Sequence, residues 1–325
     1  MDLISVFILL SAAGVGWAIG ASSGSNVISM LAGPQITGAK KAALIVSVFV
    51  FLGAMLQGGA VIKTVGEGIV SKEILSMNRL AVLSALIVTA VFVVLTTFEA
   101  VPVSSSHTII GALIGSSIGL QMTERLDVGL LTQIFIAWLL TPILSLLIAF
   151  FIYKFVASPL SKRMSLITYS EAFRWLSILA TAFTAYSLGA NNIGNAVGPA
   201  LSSGDIIDVN IIIAVMAISI VLGILSYSRG MVNMVGRNIT LVDPVTSFTA
   251  QLSAGIVTFY FALTGIPISA VQALIGGLAG VGLTKGFGMI NSKLFMQIFI
   301  GWIVTPVIAA VLSIGVYEVL VALTV

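Results

Sequence analysis

The feature that most constrains the fold is a series of long stretches without Asp, Glu, Lys or Arg. About 20 apolar residues cross the roughly 30 Å hydrocarbon core of a bilayer as a helix. Nine uncharged stretches are long enough to be considered: 3–39, 42–62, 80–98, 100–123, 128–153, 175–204, 209–228, 244–284 and 294–317. Only 8% of the residues are charged and 59% are hydrophobic, which excludes soluble domains. We therefore predict an all-α, multi-pass integral membrane protein.

The rare residue types exclude most enzyme chemistry. The chain has no cysteine and one histidine, His107, so it lacks thiolate chemistry and the usual ligands for zinc or haem. The 14 basic residues are scattered over short loops and are interpreted as membrane topology signals rather than a nucleic-acid surface. We predict neither an enzyme, nor a resident cofactor, nor a nucleic-acid partner.

The sequence contains an internal repeat. Gly20-Ala21 with Asn26 recurs as Gly189-Ala190 with Asn195, Pro102-x-Ser104 recurs as Pro267-x-Ser269, and Gln133 to Pro142 recurs as Gln297 to Pro306. The second copies follow between 164 and 169 residues later and in the same order. Such self-similarity predicts two copies of one structural unit.

The repeat also predicts topology. The uncharged run 244–284 is too long for one helix, and Gly265-Ile266-Pro267 is expected to divide it, which gives five membrane segments per half. An odd number of crossings inverts the second copy. With both termini outside, the basic residues of the inner loops are Lys40, Lys41, Lys154, Lys162, Arg163, Arg174, Arg229, Arg237, Lys285 and Lys293, against Lys63, Lys72, Arg79 and Arg125 outside. The positive-inside rule favours this orientation.

We divide the chain accordingly into a first transmembrane repeat, residues 1–153, and a second, residues 175–325. A basic cytoplasmic linker, residues 154–174, joins them. Residues 102–120 and 267–285 are rich in Gly, Ser and Pro, so they either cross the membrane or re-enter it as hairpins. We expect helices at the centre to be broken or re-entrant.

Polar side chains within apolar stretches mark the candidate site, because they are costly inside a bilayer. Two clusters accompany the glycine motifs: Ser22, Ser23, Ser25 and Asn26 in the first copy, and Asn191, Asn192 and Asn195 in the second. Glycines there could break a helix and expose backbone groups to ions, or they could let helices pack closely. Their occurrence in both copies favours an ion site.

Two further clusters follow the repeated prolines. Ser104, Ser105 and Ser106 precede His107, and Ser269 precedes Gln272. Hydroxyls at a helix start could donate hydrogen bonds to a tetrahedral anion, or they could simply cap the helix. No Lys or Arg lies in any cluster. A bound multivalent anion would then need a co-bound cation for charge balance, which predicts cation-coupled transport.

These paired motifs resemble the PiT family of inorganic phosphate transporters. The family carries Gly-Ala-Asn-Asp, then an Asn and a Gly-Pro, in each of two inverted repeats. Residues 189–199 are the close match, residues 20–34 are the looser one, and residues 236–241 also look like a family feature. The resemblance covers essentially the whole chain.

The resemblance implies a sodium- or proton-coupled phosphate symporter of the cell membrane that works by alternating access. It implies that phosphate is held by Ser22, Ser104, Ser105, Ser106, Asn191 and Ser269, and that Na+ is held by Ser23, Asn26, Asn192 and Asn195. The family aspartates are Ser23 and Asn192 here, which weakens a sodium site and removes the obvious proton carrier.

Alternatives remain at this point. A proton-coupled phosphate permease, a sulfate permease of the same family and an anion channel would each fit an uncharged polar cluster between repeats. The lipid bilayer is a necessary partner, and a homodimer is compatible with the sequence.

Overall fold

The computed structural model describes residues 2–99, 103–204, 208–238, 242–286 and 292–324. Nearly all of the chain is helical (88%), and the described residues form no β-sheet. The all-α membrane architecture predicted from the apolar stretches is confirmed. Pro102 and residues 239–241, which belong to motifs named above, lie outside the described residues.

The described residues of the first half form nine α-helices, three π-helical segments and one 3-10 turn, Thr123–Arg125. The α-helices are α1 Leu3–Ile19, α2 Ser25–Ala32, α3 Ala39–Gln57, α4 Gly59–Lys63, α5 Lys72–Met77, α6 Arg79–Phe98, α7 Ser105–Gly119, α8 Val128–Ile152 and α9 Ser158–Lys162. The π-helical segments are Gly20–Gly24, Thr64–Gly68 and Tyr153–Ala157.

The second half is built from longer helices. They are α10 Leu166–Ser202, α11 Val209–Asn238, α12 Pro244–Thr264, α13 Ala270–Lys285 and α14 Ser292–Thr324. Asp243 begins α12, where its side chain accepts a hydrogen bond from Thr246 N at 2.8 Å. Such N-caps satisfy donors that the first helical turn leaves free.

Seven helices in the described residues are long and apolar enough to cross a membrane. They are Leu3–Ala32, Ala39–Gln57, Arg79–Phe98, Val128–Lys162, Val209–Ser226, Pro244–Thr264 and Ile298–Thr324. Large apolar side chains face outward on several of them, for example Leu139, Val307 and Val311. A water-soluble protein rarely exposes so much apolar surface, whereas a lipid-facing surface requires it.

Two helices are too short to cross alone. α7 has 15 residues and α13 has 16, so at 1.5 Å per residue each is about 22–24 Å long, against a hydrocarbon core of about 30 Å.

The predicted division of the uncharged run 244–284 is confirmed. α12 ends at Thr264, and Gly265 turns the chain with a φ of 76°, a backbone conformation that favours glycine. α7 packs against α6 and α13 against α12, which makes two helical hairpins.

The glycine motifs do not break their helices, so the first of the two interpretations considered for these glycines does not apply. The chain passes from α1 through Gly20–Gly24 into α2 with helical backbone angles throughout. Gly189 and Gly194 lie inside the uninterrupted α10. The helical path is instead interrupted before α7 and α13, where the chain enters the two short helices.

Close backbone contacts explain the glycines. A Cβ on Gly20 would lie 1.9 Å from the carbonyl oxygen of Ile220, and a Cβ on Gly189 would lie 2.0 Å from that of Val50. No side chain fits at such distances, so α1 approaches α11 and α10 approaches α3 backbone to backbone. The alternative interpretation of these glycines, close helix packing, therefore describes Gly20 and Gly189.

The contacts between helices occur in pairs that the sequence repeat relates. Gly111 of α7 abuts Pro306 of α14, and Gly276 of α13 abuts Pro142 of α8. In the same way, the crossing of α1 and α11 has its counterpart in the crossing of α10 and α3. Each short helix is thus packed against the last long helix of the other half.

The segment predicted to link the halves, residues 154–174, is almost entirely helical. Its first part continues α8 through the π-helical segment Tyr153–Ala157 into α9, and its last part is the start of α10. Residues 163–165 form the turn, and Ser165 caps α10 by accepting a hydrogen bond from Thr168 N. Leu166 and Ile167 are strongly exposed beside this turn.

Candidate functional site

The starts of α7 and α13 meet in the interior of the protein. Ser106 Oγ, in the first turn of α7, donates a hydrogen bond to the carbonyl of Ile268, just before α13, at 2.9 Å. Trp138 of α8 donates from Nε1 to the carbonyl of Pro267 at 2.9 Å. The segment from Val103 to Leu113 and the segment from Pro267 to Gly282 are buried throughout. Two helix N-termini, whose free N–H groups favour anions, therefore lie together away from solvent.

Both predicted serine clusters contribute caps. Ser104 Oγ accepts from His107 N, and Ser269 Oγ accepts from Gln272 N, each at 3.3 Å. The capping role considered for Ser104 and Ser269 is therefore present. Ser105 is buried in the first turn of α7.

Asn191 holds the loop before α13. Its Nδ2 donates to the carbonyl of Ile266 at 3.2 Å, and its Oδ1 accepts from Ile268 N at 3.2 Å. Both ends of the amide are thus used by the backbone of one loop. Asn191, which the resemblance assigns to phosphate, positions Ile268 and through it the contact with Ser106.

Asn192 and Asn195 join α10 to the start of α7. Asn195 Nδ2 donates to Ser106 Oγ at 3.0 Å and lies 3.3 Å from Asn192 Oδ1. Asn192 Oδ1 is also 3.5 Å from Ser106 Oγ. The structure therefore brings together three of the predicted site residues, and all three are buried.

The first glycine motif is equally buried but less connected. Ser22, Ser23, Ser25 and Asn26 lie in the π-helical segment Gly20–Gly24 and the start of α2, which pack against α10. Ser25 Oγ donates to Ala21 O at 2.6 Å, inside its own helix. Among the described residues, neither side-chain atom of Asn26 has a hydrogen-bond partner.

Several of the unpartnered buried polar atoms belong to these asparagines. Besides both atoms of Asn26, Asn192 Nδ2 and Asn195 Oδ1 are buried without a hydrogen-bond partner in the described part of the chain. Buried polar groups are normally paired, and each exception calls for an explanation. Two amide donors and two amide acceptors are thus free at positions that the sequence assigns to ion binding.

The site is electrically neutral. Within the described ranges, no group of three or more His, Cys, Asp or Glu could hold a metal ion. The strongest ion pairs lie near helix ends instead: Arg79 contacts Asp2 at 2.7 Å, and Lys285 contacts Asp243 at 2.7 Å. An ion bound at these asparagines would therefore be held by uncharged groups, mainly side-chain amides.

His107 is a packing residue. Its ring stacks on Trp138 with centroids 3.8 Å apart, and its Nδ1 lies 2.9 Å from the carbonyl of Trp302, to which it can donate. Trp138 was not singled out from the sequence, although it stands at the position equivalent to Trp302 in the repeat. This recurrence in the repeat was the signal in the sequence that could have identified Trp138.

Gln251 is a second residue that sequence reasoning missed. It is buried in α12, and its Nε2 donates to the carbonyl of Val27 in α2 at 2.9 Å. Nε2 also lies 3.3 Å from Thr181 Oγ1 of α10. Gln251 therefore ties the first glycine motif to the second half, and a carboxamide inside an uncharged run was its signal in the sequence.

Comparison with known proteins gives one consistent result. The model of the phosphate transporter family matches residues 19–313. Relatives described as "Putative phosphate permease" include proteins of Thermococcus kodakarensis, 24% identical over 98% of both chains, and Methanocaldococcus jannaschii, 29% identical over 96% of this chain and 95% of the relative. A solved structure entitled "The sodium-dependent phosphate transporter" superposes with a TM-score of 0.88 at 22% identity and covers 98% of this chain and 99% of that one.

Proposed function

Because this chain belongs to the phosphate transporter family, we propose that it is a sodium-coupled symporter that moves inorganic phosphate across the cell membrane. The resemblance noted in the motifs is confirmed, and the chain is a multi-pass membrane protein of a permease family. Coupling to sodium goes beyond membership of the family. It agrees with the name of the structural neighbour, a sodium-dependent phosphate transporter, although that likeness by itself establishes the fold alone.

The observation that carries the proposal is the buried neutral cluster where α7 and α13 begin. Phosphate needs donors, and the two buried helix N-termini supply backbone N–H groups. Hydroxyls of Ser22, Ser104, Ser105 and Ser269 add further donors for the anion. The resemblance also assigns Ser106 and Asn191 to phosphate, but their side chains bind the loop before α13, so we propose that they position the site. A buried anion without a basic partner is costly, which supports a co-bound cation.

The cation is Na+ in this proposal, as a transported ion rather than a resident cofactor. Oxygen atoms are suitable ligands for hard cations. The free Oδ1 atoms of Asn26 and Asn195 and the hydroxyl of Ser23 offer such oxygens without a carboxylate. The neutral ligands predict weak sodium binding, so we expect coupling to require high sodium concentrations.

Alternating access would follow from the two repeats, residues 1–153 and 175–325, rocking about the site. The paired contacts of α7 with α14 and of α13 with α8 support two equivalent units. Inverted repeats with a site at their interface are common among secondary transporters. We propose that both termini lie outside and that the basic linker, residues 154–174, lies in the cytoplasm.

The test is uptake of radiolabelled phosphate into proteoliposomes that contain the purified protein. An inward sodium gradient should drive phosphate accumulation above equilibrium, and an equal potassium gradient should not. A proton-coupled permease would instead respond to a pH gradient without sodium, and a sulfate permease would accumulate labelled sulfate but not phosphate. A channel would equilibrate phosphate without accumulating it. Any of these three results would refute sodium-phosphate symport.

A further inference from the structure

A backbone carbonyl determines which end of the Asn195 side-chain amide, and then of the Asn192 amide, carries the oxygen. Ile268 O is buried, and Ser106 Oγ donates to it at 2.9 Å. Because a hydroxyl has one proton, Ser106 Oγ must then accept from Asn195, whose near atom is Nδ2 at 3.0 Å. The same Nδ2 group lies 3.3 Å from Asn192, whose near atom must be the acceptor Oδ1.

This chain of hydrogen bonds determines which atoms remain free. Asn192 is left with a buried donor, Nδ2, and Asn195 with a buried acceptor, Oδ1. An amide N–H group presents positive charge and has no lone pair for a metal ion. Asn192 and Asn195, which the family resemblance assigns together to the cation, therefore offer opposite chemistry to a ligand.

We propose that Asn192 binds the anion, donating from Nδ2 to a phosphate oxygen, while Asn195 binds the cation through Oδ1. This assignment rests on the proposed function, since it requires an anion and a cation at one site. The two amides touch each other at 3.3 Å. The bound ions are therefore neighbours, and each offsets the other's charge in a site that has no charged side chain of its own.

The assignment also explains what an amide accomplishes at position 192. A carboxylate there would still accept from Asn195 Nδ2, but its second oxygen would repel the anion and attract the cation. The amide has the same shape and presents a donor instead. The residue at position 192 thus decides whether this part of the site favours anion or cation.

Two substitutions separate the roles. Asn192→Ala removes the donor without adding charge: we expect the KM for phosphate to rise about tenfold while the sodium concentration for half-maximal uptake stays within twofold. Asn192→Asp adds an acceptor and a charge: we expect the KM for phosphate to rise more than tenfold and half-maximal sodium to fall. Asn210→Asp, the same change at an exposed position, is the matched control and should alter neither value.

The opposite pattern would overturn the inference. If Asn192→Ala raises half-maximal sodium and leaves the KM for phosphate unchanged, Asn192 is a cation ligand; if neither value changes, it contacts no ion. Thermal unfolding of each purified variant shows whether it is folded. If the Ala variant is unfolded, Asn192→Leu, which is similar in size to asparagine and also lacks a donor, is tested in its place with the same expectations. Wild-type protein that moves no phosphate under any gradient would refute the proposed function itself, which is a separate result.

Discussion

Replacing Ser106 with Ala should loosen the junction between the two short helices. The substitution removes the hydrogen bond to Ile268 O at 2.9 Å and the one from Asn195 Nδ2 at 3.0 Å. Leaving a buried partner unsatisfied costs about 1–3 kcal/mol in soluble proteins. Hydrogen bonds between membrane helices average only about 0.6 kcal/mol, because unfolded states in lipid also find partners. Since two partners are lost, we expect a total loss of about 1–3 kcal/mol.

The measurement is thermal unfolding of the detergent-purified protein, with Ser117→Ala as the control. Ser117 is also a buried serine of α7, but its Oγ donates at 2.8 Å to Leu113 O inside its own helix. That carbonyl can keep its backbone hydrogen bond when the hydroxyl is removed. We expect Ser106→Ala to lower the unfolding temperature by several degrees and Ser117→Ala to change it by about one degree or less.

A second measurement connects this junction to transport. Because Ser106 orients Asn195 and Asn192, its loss frees both amides to rotate, and we expect the KM for phosphate to rise several-fold. Equal unfolding temperatures for Ser106→Ala and Ser117→Ala would contradict the reasoning. They would mean that the contact between α7 and the loop before α13 contributes nothing to stability.

Two further changes test other parts of the fold. Gly189→Ala would place a Cβ about 2.0 Å from Val50 O, so folded yield should fall sharply, whereas Gly315→Ala, at a position with open space, should leave yield unchanged. Burial raises the pKa of Asp243, but the hydrogen bonds from Lys285 and Thr246 and the charge of Lys285 together outweigh it, so the net pKa lies below its ordinary value. The resulting stabilisation is present above the ordinary aspartate pKa and is lost as pH falls below it; it should be modest, because the pair is partly exposed. Asp243→Asn should therefore flatten the acid end of a plot of unfolding temperature against pH.

Much of the fold follows from local chemistry in the sequence. Gly265 can adopt a positive φ, and the following Pro267 cannot continue a helix, so the break between α12 and α13 was predictable from three residues. The apolar stretches likewise predicted most of the long helices. These features depend on residues that are neighbours in the chain.

The errors concern contacts between distant residues. Gly189 lets two helices pack closely because the carbonyl of Val50, far away in the sequence, lies against it. From the sequence alone, the same glycine could equally have broken a helix. The position of Asn191 depends on the loop before α13, whose backbone uses both ends of its amide. No local pattern distinguishes an asparagine that holds a loop from one that faces a ligand.

The two repeats differ in how their equivalent asparagines are hydrogen-bonded. Asn26 and Asn195 occupy equivalent places in the two copies, as do Val271 and Ser106. Asn195 binds Ser106, but a valine at the equivalent place offers no hydrogen bond, and Asn26 remains without a partner among the described residues. Burying an unpaired carboxamide is costly, so the unpartnered amide of Asn26 supports the proposal that a ligand pairs with it.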